Sequence, residues 1–327
     1  MAWELSIKPG AGTDGFDNSG AIGWYRAGSI RAQRCSMWKA IVAAILVLMA
    51  RGALAANFSY DGKTYQYEAM PFFENCGDAS LQKAQHDGIT LGISPSPPYS
   101  SIDPNTQAAS GIDVDINNAV LGWLGITKVH YEVMPFGQLI SAMLAHRVDL
   151  IAANIHYTPD RVKVIAFTSP GWWYGPAIVV QRGNPQHLTS FDGLKGKQVG
   201  AIAGSAADEY LRKVGADVTP FQTDAEEFAA ISTGRVPAIV EDDVKVISYL
   251  QANAGAAIEI VPNVSVPDEL IFGYGYGYAR YATRKEDCSL RAAYSQGLAE
   301  SRDNGAVSAI LKHYGLSNRN LFFFPVQ

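Results

Sequence analysis

The hydrophobic pattern of this 327-residue chain predicts an α/β protein of two units, one nested inside the other. Three observations carry that expectation. From Ile89 onward, short apolar runs alternate with stretches of helical spacing. A second series of the same kind begins at Gln198, after a turn-rich stretch. Two near-extended segments, around Val180 and around Gly275, join the units. A two-lobe body with a hinge follows, and the cleft between the lobes is the natural ligand site.

In order, Ile89 to Ile93 reads as a strand, followed by a loop dense in Pro, Ser and Asn. Asp113 to Leu124 has helical spacing, with Ile116, Val120 and Leu124 on one side. Lys128 to Val133 is a second strand, Phe136 to Leu144 a helix, and Leu150 to Ala153 a third strand. Ala177 to Gln181 is β-like and ends in the turn Arg182-Gly183-Asn184-Pro185. In the second series, Gln198 to Ala203 is a strand, and Gly204-Ser205 opens a helix from Ala206 to Val214. Ser205 and Asp208 make a weak capping box there. Val218 to Phe221 is a strand, Asp224 to Thr233 a helix ending at Gly234, and Ala238 to Val240 a strand running into Glu241-Asp242-Asp243. Ile258 to Val261 is another strand. Phe272 to Tyr281 alternates with period two and is expected to be a strand with one glycine-lined face. Helices at Ser289 to Asp303 and Ala306 to Tyr314 close the chain.

The N-terminus does not join this pattern. Lys39 leads into an apolar run from Ala40 to Ala50, then Ala53-Leu54-Ala55, the three regions of a secretory leader. The run is too short to span a bilayer, and cleavage is expected after Ala55. Residues 1–36 are unpatterned, and Met37 is read as the start of the leader. No cysteine follows Ala55, so a lipid anchor is not expected. The expected organisation is therefore a leader over 1–55, the first part of lobe 1 over 56–181, lobe 2 over 182–272, and a return to lobe 1 over 273–327.

The leader holds six Lys and Arg against three Asp and Glu, a balance of +3. Removing it takes the net charge from −5 to −8. An acidic body with no basic stripe argues against nucleic acid as a partner. Cys76 and Cys288 remain after processing, either as one disulfide in an oxidising compartment or as two buried thiols.

Gly200 to Ser205 lacks both the third glycine of a dinucleotide loop and the lysine of a P-loop, so no cofactor is expected there. Free N–H groups of Ser205 and Ala206 at a helix start would suit an anion, although a structural N-cap has the same sequence. The histidines have no metal-ligand spacing, and no metal site is expected. Asp113 and Asp115 read as helix-start acids favoured by the dipole. Arg161, beyond the third strand and near Asn154, His156 and Thr158, suits bidentate capture of a carboxylate.

Six segments in order, GIDVDINNAV, FGQLISAMLAHRVDLIAA, YTPDRVKVIAFTSP, FDGLKGKQVGAIAGS, STGRVPAIVEDD and FGYGYGYAR, resemble the type 2 periplasmic solute-binding proteins of ABC importers. The branch that binds polar amino acids is the nearest in pattern. The resemblance implies the two-lobe fold, no catalysis, a small zwitterionic ligand, a membrane ABC permease as partner, and a monomer in the periplasm. It places Arg161 on the ligand carboxylate, with Asn154, His156, Ser205 and Ala206 around the same group. It places Asp242 on the ligand ammonium, and Phe136, Tyr99 and Ser96 as the stacking aromatic and side-chain specifiers. Pro237 stands where an aspartate is usual, and Ala153-Asn154 where two serines are.

GITKVHYEVMPFGQLI, with the later RGNP, is also similar to ectoine-binding members, for which Phe136, Trp172 and Tyr99 would wall the ring. At least one of Trp172 and Trp173 is expected to pack a lobe surface instead. Some relatives look like cyclohexadienyl dehydratases, in which Glu241, Asp242 or His156 would act as acid or base.

Overall fold

The computed structural model describes residues 56–60, 63–67 and 76–321, and the expected leader lies outside them. The chain divides after residue 69 into two compact units. The first contains a hairpin in which β1 (Ala56–Tyr60) runs antiparallel to β2 (Lys63–Tyr67), from the pair Ala56↔Tyr67 to the pair Tyr60↔Lys63.

The second unit opens with α1 (Ser80–Asp87), β3 (Ile89–Ile93), and a ribbon of β4 (Ser101–Ile102) and β5 (Ala109–Ser110). It continues through α2 (Ile112–Trp123), β6 (Val129–Val133), α3 (Leu139–Leu144), β7 (Leu150–Ile151) and β8 (Ile165–Phe167). Then come β9 (Pro176–Gln181), β10 (Gln198–Ile202), α4 (Ala206–Val214), β11 (Asp217–Phe221), α5 (Asp224–Ser232) and β12 (Ala238–Asp242). Last are α6 (Asp243–Ala252), β13 (Ile258–Ile260), β14 (Ala282–Arg284), α7 (Cys288–Asp303) and α8 (Ala306–His313).

These strands form two five-stranded sheets of the same plan. The first has the order β6-β3-β7-β14-β8 and the second β11-β10-β12-β9-β13. In each, three parallel strands are followed by one antiparallel strand and an edge strand. The antiparallel member is the one the chain supplies just after crossing from the other lobe. Central strands are nearly continuous in apolar residues, as burial on both faces requires, and Leu91, Ile93, Val199, Ala201 and Ile239 are fully buried. Cys76 and Cys288 form a disulfide that ties the chain ahead of α1 to the start of α7.

Two crossings run side by side between the sheets. Gly171 N–H donates to Ala279 O (2.8 Å), Ala279 N–H to Trp172 O (3.0 Å), and Tyr174 N–H to Gly277 O (2.9 Å). The first crossing falls ahead of the expected position. Pro176–Gln181 pairs with β12 and β13, so Val180 lies inside the second sheet and not at the hinge, and the lobe change precedes 176. The second crossing is not the period-two strand expected over Phe272 to Tyr281. Glu269–Gly273 forms a π-type turn, and Gly275 and Gly277 take φ of +55° and +91°, which break the pleat. A Cβ at Gly277 would sit 2.4 Å from Trp173 Cζ3 and from Tyr174 O, so close packing against the first crossing requires glycine.

Three elements are absent from the sequence reading: α1, β8 and α6. The strand at Leu150 is also shorter than expected, because Asn154 turns the chain with a φ of +50°. That turn swings Asn154 and His156 toward the second lobe.

Candidate functional site

The cleft lies at the carboxyl ends of the strands of both sheets, the position where open α/β sheets bind ligands. The first lobe supplies Ser94, Ser96 and Tyr99 from the loop after β3, Asp113 from the start of α2, Phe136, and Ala153, Asn154 and His156 from beyond β7. The second lobe supplies Ser205 and Ala207 at the start of α4, Thr223 and Asp224 at the start of α5, Glu241 and Asp242 at the end of β12, and Lys245 from α6. Tyr276 enters from the second crossing.

Seven of the ten residues expected to meet a ligand line this cleft: Phe136, Asn154, His156, Tyr99, Ser96, Ser205 and Asp242. Arg161, Trp172 and Ala206 are not among its lining residues. Trp172 is buried behind the wall, its ring 5.4 Å from that of Tyr99 and 5.1 Å from that of Tyr174, with Nε1–H donating to Asp113 Oδ1 at 3.4 Å. Ala206 is the first residue of α4 and fully buried. Ser205 caps that helix by accepting from Asp208 N–H (3.0 Å), while Asp208 Oδ2 accepts from Gly204 N–H (2.9 Å).

Arg161 is buried at the junction of the lobes, on a 3-10 turn. Its Nη1 donates to His156 O (2.7 Å) and its Nη2 to Gly204 O (2.6 Å), and Glu209 Oε1 lies 3.6 Å from Nη2. Its guanidinium carbon stands 5.6 Å from the centre of the Phe136 ring. The fork thus grips protein acceptors on both lobes and does not open into the cleft.

On the second lobe, Asp242 is fully enclosed and accepts from Tyr276 OH (2.7 Å). The Tyr276 ring stacks on His156 at 4.2 Å, which joins a crossing residue to the first lobe. Below Asp242 lies a buried charge cluster. Lys245 Nζ is 2.8 Å from Glu241 Oε1 and 3.4 Å from Asp224 Oδ1, and Asp224 Oδ2 accepts from Ser96 Oγ at 2.5 Å across the cleft. Glu227 stands behind them, and burial together with the Glu241 charge holds its carboxyl well above the usual range. Lys245 therefore serves as the counter-ion of this acidic floor.

His156 is kept neutral by burial and by the Arg161 charge. Tyr174 OH donates to Asn154 Oδ1 (2.9 Å) and lies 2.6 Å from His156 Nε2. One phenolic hydrogen serves one acceptor, so His156 presents Nε2–H to the Tyr174 oxygen. This relay fixes the Asn154 amide and leaves its Nδ2 buried without a partner.

The cleft acids missed in the sequence reading are Asp113, Asp224 and Glu241 as a floor component, and the missed cation is Lys245. Asp113 was expected to be a dipole-favoured acid on a helix start. It does stand at the start of α2, but fully buried, with Oδ1 accepting from Tyr281 OH (3.0 Å). Its apolar neighbours Ile112 and Val114 were the available signal.

Burial pushes Asp113 up to about 7 and Asp242 to about 8, in the second case against the pull of Lys245. Both ionise near 4 in an unfolded chain. Their contribution to stability is then fully present below about pH 4 and lost as pH rises through 7 and 8. His156, depressed by burial, is neutral in both states above pH 7 and does not oppose this. The empty protein is expected to lose about 1–2 kcal/mol between pH 7 and 8.5. Urea midpoints across that window test it, and a midpoint that stays flat or rises contradicts the assignment.

Comparison with known proteins fits this architecture. Residues 89–317 match the model of the bacterial extracellular solute-binding proteins, family 3. The lysine/arginine/ornithine-binding periplasmic protein of Escherichia coli is 29% identical over 222 residues, covering 66% of this chain and 83% of that protein. An ancestral arginine-binding protein solved with arginine superposes with a TM-score of 0.61 at 28% identity, covering 69% of this chain and 97% of that one. EhuB, solved with hydroxyectoine, shares the fold with a TM-score of 0.65 at 21% identity, covering 74% and 93%. With two sheets of one plan, paired crossings, and a match over most of its length, the chain belongs to family 3 of the bacterial extracellular solute-binding proteins.

Proposed function

We infer that this protein is a periplasmic receptor, freed from its leader and acting as a monomer, which closes on a small amino-acid-like zwitterion and hands it to an ABC permease. The observation that carries the reading is Asp242, an enclosed carboxylate at the end of β12 facing a cleft whose other wall is aromatic. It would receive the ligand ammonium. The ligand carboxylate would meet the first N–H groups of α4, near Ser205, and the unpartnered Asn154 Nδ2. Arg161, tied to carbonyls on both lobes, would hold the closed arrangement from the edge of the cleft.

Binding and not turnover is the activity. The acids of the floor are held by Lys245 and Ser96, and the relatives named above are binding proteins. The ectoine reading relied on three aromatic walls, of which Phe136 and Tyr99 line the cleft and Trp172 does not.

A thermal-shift screen of residues 56–327 against amino acids, opines, ectoines and betaines tests the reading. A true ligand at a hundred times its dissociation constant should stabilise the protein by about 2.7 kcal/mol. A screen in which no zwitterion shifts the transition, while sugars or simple diacids do, overturns it.

A further inference from the structure

Three polar atoms lining the cleft are buried with no hydrogen-bond partner: Asp113 Oδ2, Tyr99 OH and Asn154 Nδ2. Native proteins rarely leave buried polar atoms unpaired, so each marks a place where something else is meant to bind. Asn154 Nδ2 is a donor and suits the ligand carboxylate. The other two belong together. Tyr99 packs edge-on to Trp172, whose Nε1–H holds Asp113, so the phenol and the carboxylate flank one aromatic wall.

The Asp113 carboxylate is already oriented. Tyr281 OH and Trp172 Nε1–H both donate to Oδ1, and nothing in the protein donates to Oδ2. Charge points the same way. Asp113, Asp224, Glu241 and Asp242 all line the cleft against Lys245 as the lining lysine, and Lys245 is already paired with Asp224 and Glu241. The ligand ammonium would answer Asp242, which leaves Asp113 without a counter-charge. The faces of Tyr99 and Tyr174 beside it would favour a cation over a neutral group.

We propose that Asp113 Oδ2, with Tyr99 OH beside it, forms a second cation subsite on the first lobe, so that the ligand is an amino acid carrying a second positive charge at its far end. This rests on the zwitterion reading above and narrows it. The acidic subsite of Asp224 and Glu241 is not the one that selects, because Lys245 fills it. Asp113 is the specificity-determining residue.

The test compares L-arginine with L-citrulline, which replaces the guanidinium by a neutral urea of nearly the same shape. Titration calorimetry at pH 8 is carried out on the wild-type protein, on Asp113→Asn and on Tyr99→Phe. Asparagine keeps an Oδ1 to accept from Tyr281 and Trp172. The wild type is expected to bind arginine at least tenfold more tightly than citrulline. In Asp113→Asn, arginine should weaken at least tenfold while citrulline changes less than threefold, and Tyr99→Phe should show a smaller loss in the same direction. Should Asp113→Asn fail to fold, Tyr99→Phe and the wild-type ratio decide the matter.

A wild type that binds citrulline as well as arginine, or variants that weaken both equally, overturns the proposal. A wild type that ignores both but binds a zwitterion with one positive charge overturns this proposal and leaves the receptor reading standing. No zwitterion bound at all removes both.

Discussion

Asp242→Asn is expected to weaken binding of any amine-bearing ligand by about 2–4 kcal/mol, roughly 30- to 1000-fold. The carboxylate is enclosed, so its attraction to an ammonium is poorly screened, and the amide that replaces it offers a dipole where a charge is needed. The packing should survive, because the amide oxygen still accepts from Tyr276 OH. The contrast should be sharpest at pH 8.5, where the wild-type carboxyl, raised to about 8, is mostly ionised. Titration calorimetry with the ligand found by screening reads the loss. An equal loss for an acid that lacks an amine would remove Asp242 from its role, and so would unchanged affinity for an amine.

Arg161→Ala is expected to act on both stability and binding. Two buried carbonyls, His156 O and Gly204 O, lose their donor and Glu209 loses a partner. Leaving such groups unsatisfied costs about 2–5 kcal/mol. Since one carbonyl belongs to each lobe, the loss falls on the closed arrangement itself. Affinity should therefore drop for every ligand, with or without a carboxylate, by about 30-fold or more. Arg161→Lys should recover little, because one ammonium cannot reproduce a fork that reaches two acceptors. Calorimetry with arginine and with agmatine, which lacks the carboxylate, separates the possibilities. A loss confined to arginine would return Arg161 to direct contact with the ligand carboxylate.

The elements were legible where local pattern and burial agree. Ile89–Ile93 and Ala206–Val214 have the ends that apolar spacing and capping assign them. The second crossing was misread because alternation of tyrosine and glycine imitates a strand, whereas the left-handed glycines at 275 and 277 bend it. Helix α6 escaped notice because its first turn, Asp243-Val244-Lys245, follows two acids of a strand end and has no conventional capping side chain.

The site was legible in part, and the division has a cause. Tyr99, Phe136, Asn154, His156 and Asp242 lie at strand ends and in the loops beyond them, positions that order along the chain already marks. Arg161 and Trp172 lie in the same stretch, yet their side chains turn to carbonyls and rings elsewhere.

The amino-acid sequence by itself determined the α/β class, the order of strands and helices, the two-lobe plan, and an acid at the end of β12. Only the tertiary structure decided that Arg161 joins the lobes, that Lys245 neutralises the floor, and that Asp113 faces the cleft with one oxygen unpaired. Periodicity reports that a side chain is buried, but which group it is buried against depends on partners more than a hundred residues away, such as Tyr281 for Asp113 and Ser96 for Asp224.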